Sequence, residues 1–446
     1  MSRTIVALAT APGIAGLNVV RISGDKAFEI SDKCFSGKTT LKEAESHTIH
    51  YGRFSSSNEL IDTVTASVFR APNSYTGENT VEFGCHGGNV VAGQVVNALL
   101  DAGAEYPEPG EFTRTAFLNG KLDLTQVEAV ADIIHSTSVA GALTSARQLV
   151  GQFTQRLKDL RKELIRTAGL LELELDFSEE EIELVDNSEV KKRLEESLNY
   201  CNDLADKYRA SEVLRSGYVV AVVGFPNSGK STLFNSILQK NRAIVSEIEG
   251  TTRDYIEEDI LLGDIKVKLI DTAGLRETED IIEIEGIKLV ESVLEQANLV
   301  LVLNDASNGT ESSDELFKSL KERYSNSQFL LVQNKSDLVE SLSPNNIYIS
   351  AKNGNGINHI TSIIRENAKN SADRINDVLI NKRHADLLRK AASEIQNGID
   401  AIDSDMENEI ISIDIRNATY TLGEITGDQW NEEVLAEIFS GFCIGK

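Results

Sequence analysis

The segment Gly224-Phe225-Pro226-Asn227-Ser228-Gly229-Lys230-Ser231 follows a short apolar run, Tyr218 to Val223, and precedes a helical pattern that opens at Thr232. A glycine-rich turn between an apolar strand and a helix demands a layered α/β unit, because such a strand must be covered on both faces. The glycines allow backbone N–H groups to close around phosphate oxygens. The Lys230 ammonium can neutralise the outer phosphates, and the Ser231 hydroxyl can ligate magnesium. Strands alternate with helices from about Ser216 to Asn370, so a doubly wound sheet with a largely parallel core is expected there.

A phosphate loop does not choose a base; distant segments do. Asn334-Lys335-Ser336-Asp337 follows the apolar run Phe329 to Val332, and a carboxylate at Asp337 can accept both donors on guanine N1 and N2. Adenine lacks that pair of donors, which makes Asp337 the selecting residue. Ser350-Ala351-Lys352, after Ile347 to Ile349, supplies a second base-side loop. Asp271-Thr272-Ala273-Gly274 lies between these and the phosphate loop in chain order. Asp271 is expected to orient the water shell of magnesium, and the Gly274 N–H to sense the γ-phosphate. Thr252, in Gly250-Thr251-Thr252-Arg253-Asp254, is expected to complete magnesium coordination when triphosphate is bound. Ras-like proteins carry a water-positioning glutamine directly after the Asp-x-x-Gly motif. Leu275 stands there and cannot hydrogen-bond. The acidic stretch Glu277, Glu279, Asp280, Glu283 and Glu285 offers replacements, and spacing alone does not choose among them.

Outside this module the patterning changes twice. From Thr4 to about Asn119, β-branched runs (Thr4 to Ala9, Leu17 to Ile22, Leu60 to Phe69, Thr80 to Phe83) mix with helical stretches such as Val90 to Ala102, which reads as a small α+β domain. Leu149, Phe153, Leu157, Leu160, Leu164, Ala168, Leu171 and Leu175 then form one stripe of a long helix, followed by a helical stretch from Ser188 to Leu214. Helical periodicity returns over Leu379 to Ile402, Ile410 to Leu422 and Glu433 to Phe439, most economically completing the earlier bundle. The expected domains are an N-terminal α+β unit over 1–119, a discontinuous helical domain over 120–215 and 371–446, and a Ras-like P-loop module over 216–370 inserted into it.

A chain of 446 residues exceeds one core. A formal net charge of -26 excludes a broad electrostatic surface for nucleic acid, so any RNA contact must be local or supplied by a partner. Cys34, Cys85, Cys201 and Cys443 show no paired spacing, arguing against a disulfide framework or a zinc site. No apolar run reaches spanning length, so a cytoplasmic location without membrane attachment is expected. Cys443-Ile444-Gly445-Lys446 fits a prenylation box poorly. The acidic run Glu179 to Glu181 reads as a solvated helix start.

Further segments carry a specific resemblance: Ala9-Thr10-Ala11-Pro12-Gly13, Arg21-Ile22-Ser23-Gly24, Pro72-Asn73-Ser74-Tyr75-Thr76-Gly77-Glu78, His86-Gly87-Gly88, Pro109-Gly110-Glu111-Phe112-Thr113-Arg114, Phe117-Leu118-Asn119-Gly120-Lys121, Leu422-Gly423-Glu424-Ile425-Thr426-Gly427 and the terminal Phe442 to Lys446. With the nucleotide motifs, the chain resembles the tRNA-modification GTPase family known as MnmE or TrmE over essentially its whole length. Only local departures are evident, such as Ile14 and Ala15 where many relatives have Arg or Gly.

The resemblance implies a homodimer whose N-terminal domain binds 5-formyltetrahydrofolate or a related one-carbon donor through Arg21, Glu78, Lys121 and Lys446. It implies an FAD-dependent, NADH-using partner of the MnmG type. Together they install an aminomethyl-type or carboxymethylaminomethyl substituent on carbon 5 of the wobble uridine of certain tRNAs, with tRNA held mainly through the partner. It also implies a nucleotide-contacting set comprising Asn227, Ser228, Gly229, Lys230, Ser231, Thr232, Ser246-Glu247-Ile248-Glu249-Gly250-Thr251-Thr252, Asp271 to Gly274, Asn334 to Asp337 and Ser350 to Lys352. Magnesium would sit on Ser231 and Thr252. Glu283 becomes the water-orienting residue, and a potassium ion held by Asn227, Ser246, Ile248 and Thr251 takes the place of an arginine finger. A catalytic role for Cys443 in the modification is suspected in the family; an inert terminal cysteine is the other reading, since only Lys446 nearby could lower its pKa.

Two other classes share part of this pattern. A ribosome-assembly GTPase switch would share every motif from Gly224 to Lys352 but leaves the N-terminal and terminal segments unexplained. A polymerising GTPase would need an extended self-association element, which the sequence does not display.

Overall fold

The apolar runs of the segment that carries the phosphate loop and the short alternating runs of the first hundred residues form two separate six-stranded sheets. The computed structural model describes residues 3–136, 138–176, 187–241, 256–272, 283–340, 343–344, 346–373, 375 and 378–445. In chain order the strands and α-helices are β1 (Ile5–Leu8), β2 (Leu17–Ser23), α1 (Ala27–Cys34), β3 (Phe35–Gly37), β4 (Thr48–Ser56), β5 (Glu59–Phe69), β6 (Thr80–His86), α2 (Asn89–Asp101) and α3 (Glu111–Leu118). Helices α4 (Leu124–His135), α5 (Val139–Leu149), α6 (Gln152–Asp176), α7 (Asn187–Asp206) and α8 (Tyr208–Ser216) follow. Then come β7 (Tyr218–Gly224), α9 (Lys230–Asn241), β8 (Ile256–Leu262), β9 (Ile265–Asp271), α10 (Glu283–Gln296), β10 (Leu299–Asp305), α11 (Glu311–Arg323), β11 (Gln328–Asn334), β12 (Ile347–Tyr348) and α12 (Ile357–Ala372). Helices α13 (Lys382–Asp403), α14 (Asn408–Thr426) and α15 (Glu432–Ser440) complete the order.

The chain divides into two compact units, Met1–Ala131 with Gln148–Ser197 and Ser393–Lys446, and Asp132–Arg147 with Leu198–Ala392. In the first unit the sheet runs β1-β2-β6-β5-β4-β3, every neighbouring pair antiparallel. Alternation sends Val20, Ile22, Val64, Val81 and Phe83 into a core shared with Phe28 and Ile30 of α1 and Val95 and Leu99 of α2. The opposite face carries Ile5 and Ala7 beneath Phe112 of α3. Helix α6 packs along α14, burying Phe153, Leu157, Leu164 and Leu171 on one side and Ile411, Ile415, Leu422 and Ile425 on the other. Each such fully buried leucine contributes roughly 1.5–3 kcal/mol.

In the second unit the order is β12-β11-β10-β7-β9-β8. All neighbours are parallel except β8 on β9. Both faces are covered, which is why β10 is buried at every position and opens with the apolar run Leu299 to Leu303. One face meets Leu233, Phe234 and Ile237 of α9 and Ile357, Ile360 and Ile364 of α12. The other meets Val293 and Leu294 of α10, with Leu316 and Leu320 of α11 against it.

Two helical expectations are corrected. The stripe from Leu149 to Leu175 is not one helix: Gly151 at φ 90° ends the run, leaving Leu149 on α5 and starting α6 at Gln152. The stretch from Ser188 to Leu214 is likewise two helices, broken at Lys207, whose N–H turns back to Leu204 O. Cys34, Cys85 and Cys201 are buried free thiols and Cys443 is exposed. Among the described residues no helix is long and apolar enough to cross a membrane.

Candidate nucleotide and ligand sites

The Gly224–Gly229 loop leaves the carboxyl end of the central strand β7 and feeds α9. Three of its residues hold left-handed or unusual backbone, Gly224 at φ 151°, Asn227 at 62° and Gly229 at 95°. A Cβ at Gly229 would run into Asn334 Nδ2, so only glycine lets this amide approach. The approach is used. Asn334, 2% exposed, donates from Nδ2 to Ser228 O at 2.8 Å and accepts at Oδ1 from Ala351 N at 3.0 Å. One buried amide therefore ties the phosphate loop to both base-side loops. Lys230 Nζ folds over the loop and donates to Gly224 O and Phe225 O, each at 3.1 Å. Ser231 and Thr232 lie exposed in the first turn of α9.

Asp271, 1% exposed, ends β9 beside β7, and Thr272 Oγ1 donates to Val222 O at 2.7 Å. On the base side, Lys335 adopts φ 61° and its ammonium meets Asp305 Oδ2 at 2.6 Å. Burial opposes the charge of Asp305, but the Lys335 ammonium and the Ser307 N–H and hydroxyl outweigh it and hold the carboxyl below the usual carboxylate range. Asp305 was not singled out in the sequence; the pair Asn304-Asp305 closing the apolar run Leu299 to Leu303 is the available signal. Ser336 N donates to Ile349 O at 3.0 Å, and Ser236 Oγ of α9 donates to Ala351 O at 2.6 Å. Asp337 and Lys352 are exposed and Ser350 is buried. Ser246, Glu247, Ile248, Glu249, Gly250, Thr251, Thr252, Ala273 and Gly274 lie outside the described residues, as do Leu275, Glu277, Glu279 and Asp280. Glu283 opens α10.

In the first unit, Arg21 on β2 stands directly opposite Glu82 on β6. Arg21 Nε and Nη2 both meet Glu82 Oε1 at 2.8 Å. The guanidinium carbon lies 5.0 Å from the centre of the Tyr75 ring and 5.7 Å from that of Phe112. Arg21 Nη1 is buried without an acceptor. Two register positions along the same face, Ser23 Oγ donates to Glu78 Oε2 at 3.2 Å and pairs with Thr76 Oγ1 at 2.7 Å. Lys121 Nζ donates to Pro72 O at 3.0 Å, and Asn119 Nδ2 to Thr76 O at 2.8 Å. Arg21, Glu78 and Lys121 thus gather around the Pro72–Glu78 loop. Lys446 lies outside the described residues, but Gly445 backs onto the Leu8 carbonyl at the end of β1, a contact that a Cβ would forbid. Glu82, which sequence reasoning passed over, is legible as an acid in the Thr80–Phe83 run once that strand is paired with Leu17–Ile22.

A phosphate-cradling loop at the carboxyl end of a parallel sheet, joined through Asn334 to two base-side loops, defines a P-loop GTPase module. The MnmE helical domain description matches residues 124–443, and that of the GTP-binding protein TrmE N-terminus matches residues 4–121. The chain belongs to the MnmE, or TrmE, family of tRNA modification GTPases. The tRNA modification GTPase MnmE of Salinibacter ruber is 41% identical, covering 100% of this chain and 99% of that protein. The MnmE protein of Chlorobaculum tepidum is 42% identical, covering 99% and 97%. The solved G domain of the T. maritima FeoB iron transporter aligns at 23% identity with 34% of this chain and 98% of its own, with a TM-score of 0.26.

Proposed function

We propose that this chain is a cytoplasmic, potassium-dependent GTPase that acts as a homodimer with an FAD-dependent partner of the MnmG type. Together they modify carbon 5 of the wobble uridine of certain tRNAs, using a tetrahydrofolate one-carbon donor. Full-length similarity to tRNA modification GTPases supports the activity. The observation that carries the nucleotide reading is Asn334 clamped between Ser228 and Ala351. GTP would lie with its phosphates along the Asn227–Thr232 turn and its guanine between Asn334–Asp337 and Ser350–Lys352. Ser231 would ligate magnesium together with Thr252, and Asp271 would orient its waters. Asn227, with Ser246, Ile248 and Thr251, would hold potassium, which supplies positive charge against the phosphates. The polar face around Arg21 and Glu78 fits a folate: the Arg21 Nη1 donor lacks an acceptor that a carboxylate or a ring carbonyl would provide.

Replacing potassium by sodium at constant ionic strength is expected to slow GTP hydrolysis by at least about ten-fold, because the smaller, more strongly hydrated ion of the same charge fits ligands spaced for potassium poorly and sets its charge less well against the transferring phosphoryl. Equal rates in both salts would refute the cation site. Analysis of total tRNA from a strain lacking the gene is expected to show wobble uridines without the carbon-5 substituent. Normal modification would favour a ribosome-assembly switch instead.

A further inference from the structure

We infer that Glu82 is a positioning residue for Arg21, acting with Tyr75 and Phe112 to present a single guanidinium nitrogen, Nη1, to one oxygen of the one-carbon donor. The inference rests on the folate reading above. Glu82 occupies the whole Nε–Nη2 edge of Arg21 through one carboxylate oxygen. That edge is the one arginine ordinarily offers to a ligand carboxylate as a fork. Here it is spent inside the protein. The guanidinium also lies beside the Tyr75 and Phe112 rings, and Tyr75 is itself fixed by a 2.9 Å hydrogen bond between its hydroxyl and Thr113 Oγ1. What remains is Nη1, buried and without an acceptor, a condition that costs free energy until an oxygen arrives.

The arrangement has little freedom. Arg21 and Glu82 are register partners in an antiparallel pair, flanked by Ala7 on β1 and Ser67 on β5. The Arg21 side chain is 15% exposed, and Glu82 retains 27%. The adjacent row on the same face carries the Ser23, Thr76 and Glu78 hydroxyl–carboxylate cluster. An oxygen that displaces what covers Nη1 would meet an end-on donor from Arg21, with an acceptor from Glu78 in the adjacent row. This suits a heterocycle whose edge presents one carbonyl oxygen beside N–H groups.

The test measures binding of 5-formyltetrahydrofolate to the purified full chain by calorimetry, with far-UV circular dichroism as a check on folding. Glu82→Gln keeps the shape and one acceptor but removes the charge, and is expected to weaken binding by about ten-fold. Glu82→Asp keeps the charge at a shorter reach and should fall between the two, which covers the case in which the glutamine variant folds badly. Arg21→Ala should weaken binding at least as much as Glu82→Gln, and the double variant should bind no more weakly than Arg21→Ala alone. A merely structural role for Glu82 predicts additive losses instead, and additivity would overturn the inference. Equal affinity in wild type and both Glu82 variants would overturn it while leaving the folate reading in place. No binding to wild type would overturn both.

Discussion

Glu283→Ala is expected to lower GTP turnover by about two to three orders of magnitude while GTP affinity changes by less than about two-fold, the range associated with loss of one group that orients or deprotonates the attacking water. Leu275 removes the glutamine that would otherwise perform this task. Glu283 opens α10, and an ionised carboxylate can hold water as an acceptor. The base-side loops and the Gly224–Gly229 turn are independent of it, tied to each other through Asn334. Ground-state binding should therefore survive. Single-turnover hydrolysis in potassium buffer, alongside titration with a fluorescent guanine nucleotide, separates the two quantities. Unchanged turnover would remove Glu283 from the mechanism.

The parts of the fold legible in sequence are those in which local chemistry and tertiary demand agree. The strand–turn–helix around Gly224 shows a continuous apolar run, left-handed glycines and an amphipathic helix, and each is present as β7, the Gly224–Gly229 turn and α9. Strand β4 was invisible for the opposite reason. Over Thr48–Ser56 the more buried positions Thr48, His50 and Gly52 are polar or small while Ile49 and Tyr51 are exposed, so hydropathy runs against burial until Phe54. The 3.6-residue stripe through Leu149 continued across Gly151 because periodicity counts residues and does not register a φ of 90°. Among site residues, the phosphate and base motifs were legible because backbone geometry restricts them to few residue types. The Arg21–Glu82 pair was not, since its partners are 61 residues apart in sequence and meet only once β2 is registered on β6. Asp305 was hidden in the same way: its value lies in Lys335, which arrives from the next parallel strand.

Asp337→Asn is expected to invert the base preference of the module, weakening GTP by about two to three orders of magnitude and improving xanthosine triphosphate until it is the better ligand. Guanine presents two donors, N1–H and the N2 amino group, and a carboxylate accepts both in charge-assisted hydrogen bonds worth about 1.5–3 kcal/mol each. An asparagine at 337 accepts one and places its own N–H against the N2 amino group, leaving two donors face to face. Xanthine carries a carbonyl oxygen at that position, so the same amide accepts from N1–H and donates to O2. Asp337 is exposed in the short turn at Ser336–Leu338, and its carboxylate is not part of the Asn334 clamp or the Lys335–Asp305 pair. The substitution should consequently leave the loop geometry intact, and hydrolysis of xanthosine triphosphate should proceed at a rate comparable to that of GTP in the unsubstituted chain. Competition titration with the two triphosphates measures the inversion directly. A variant that loses both equally would mean that Asp337 supports the loop and does not read the base; one that retains GTP would place base selection elsewhere.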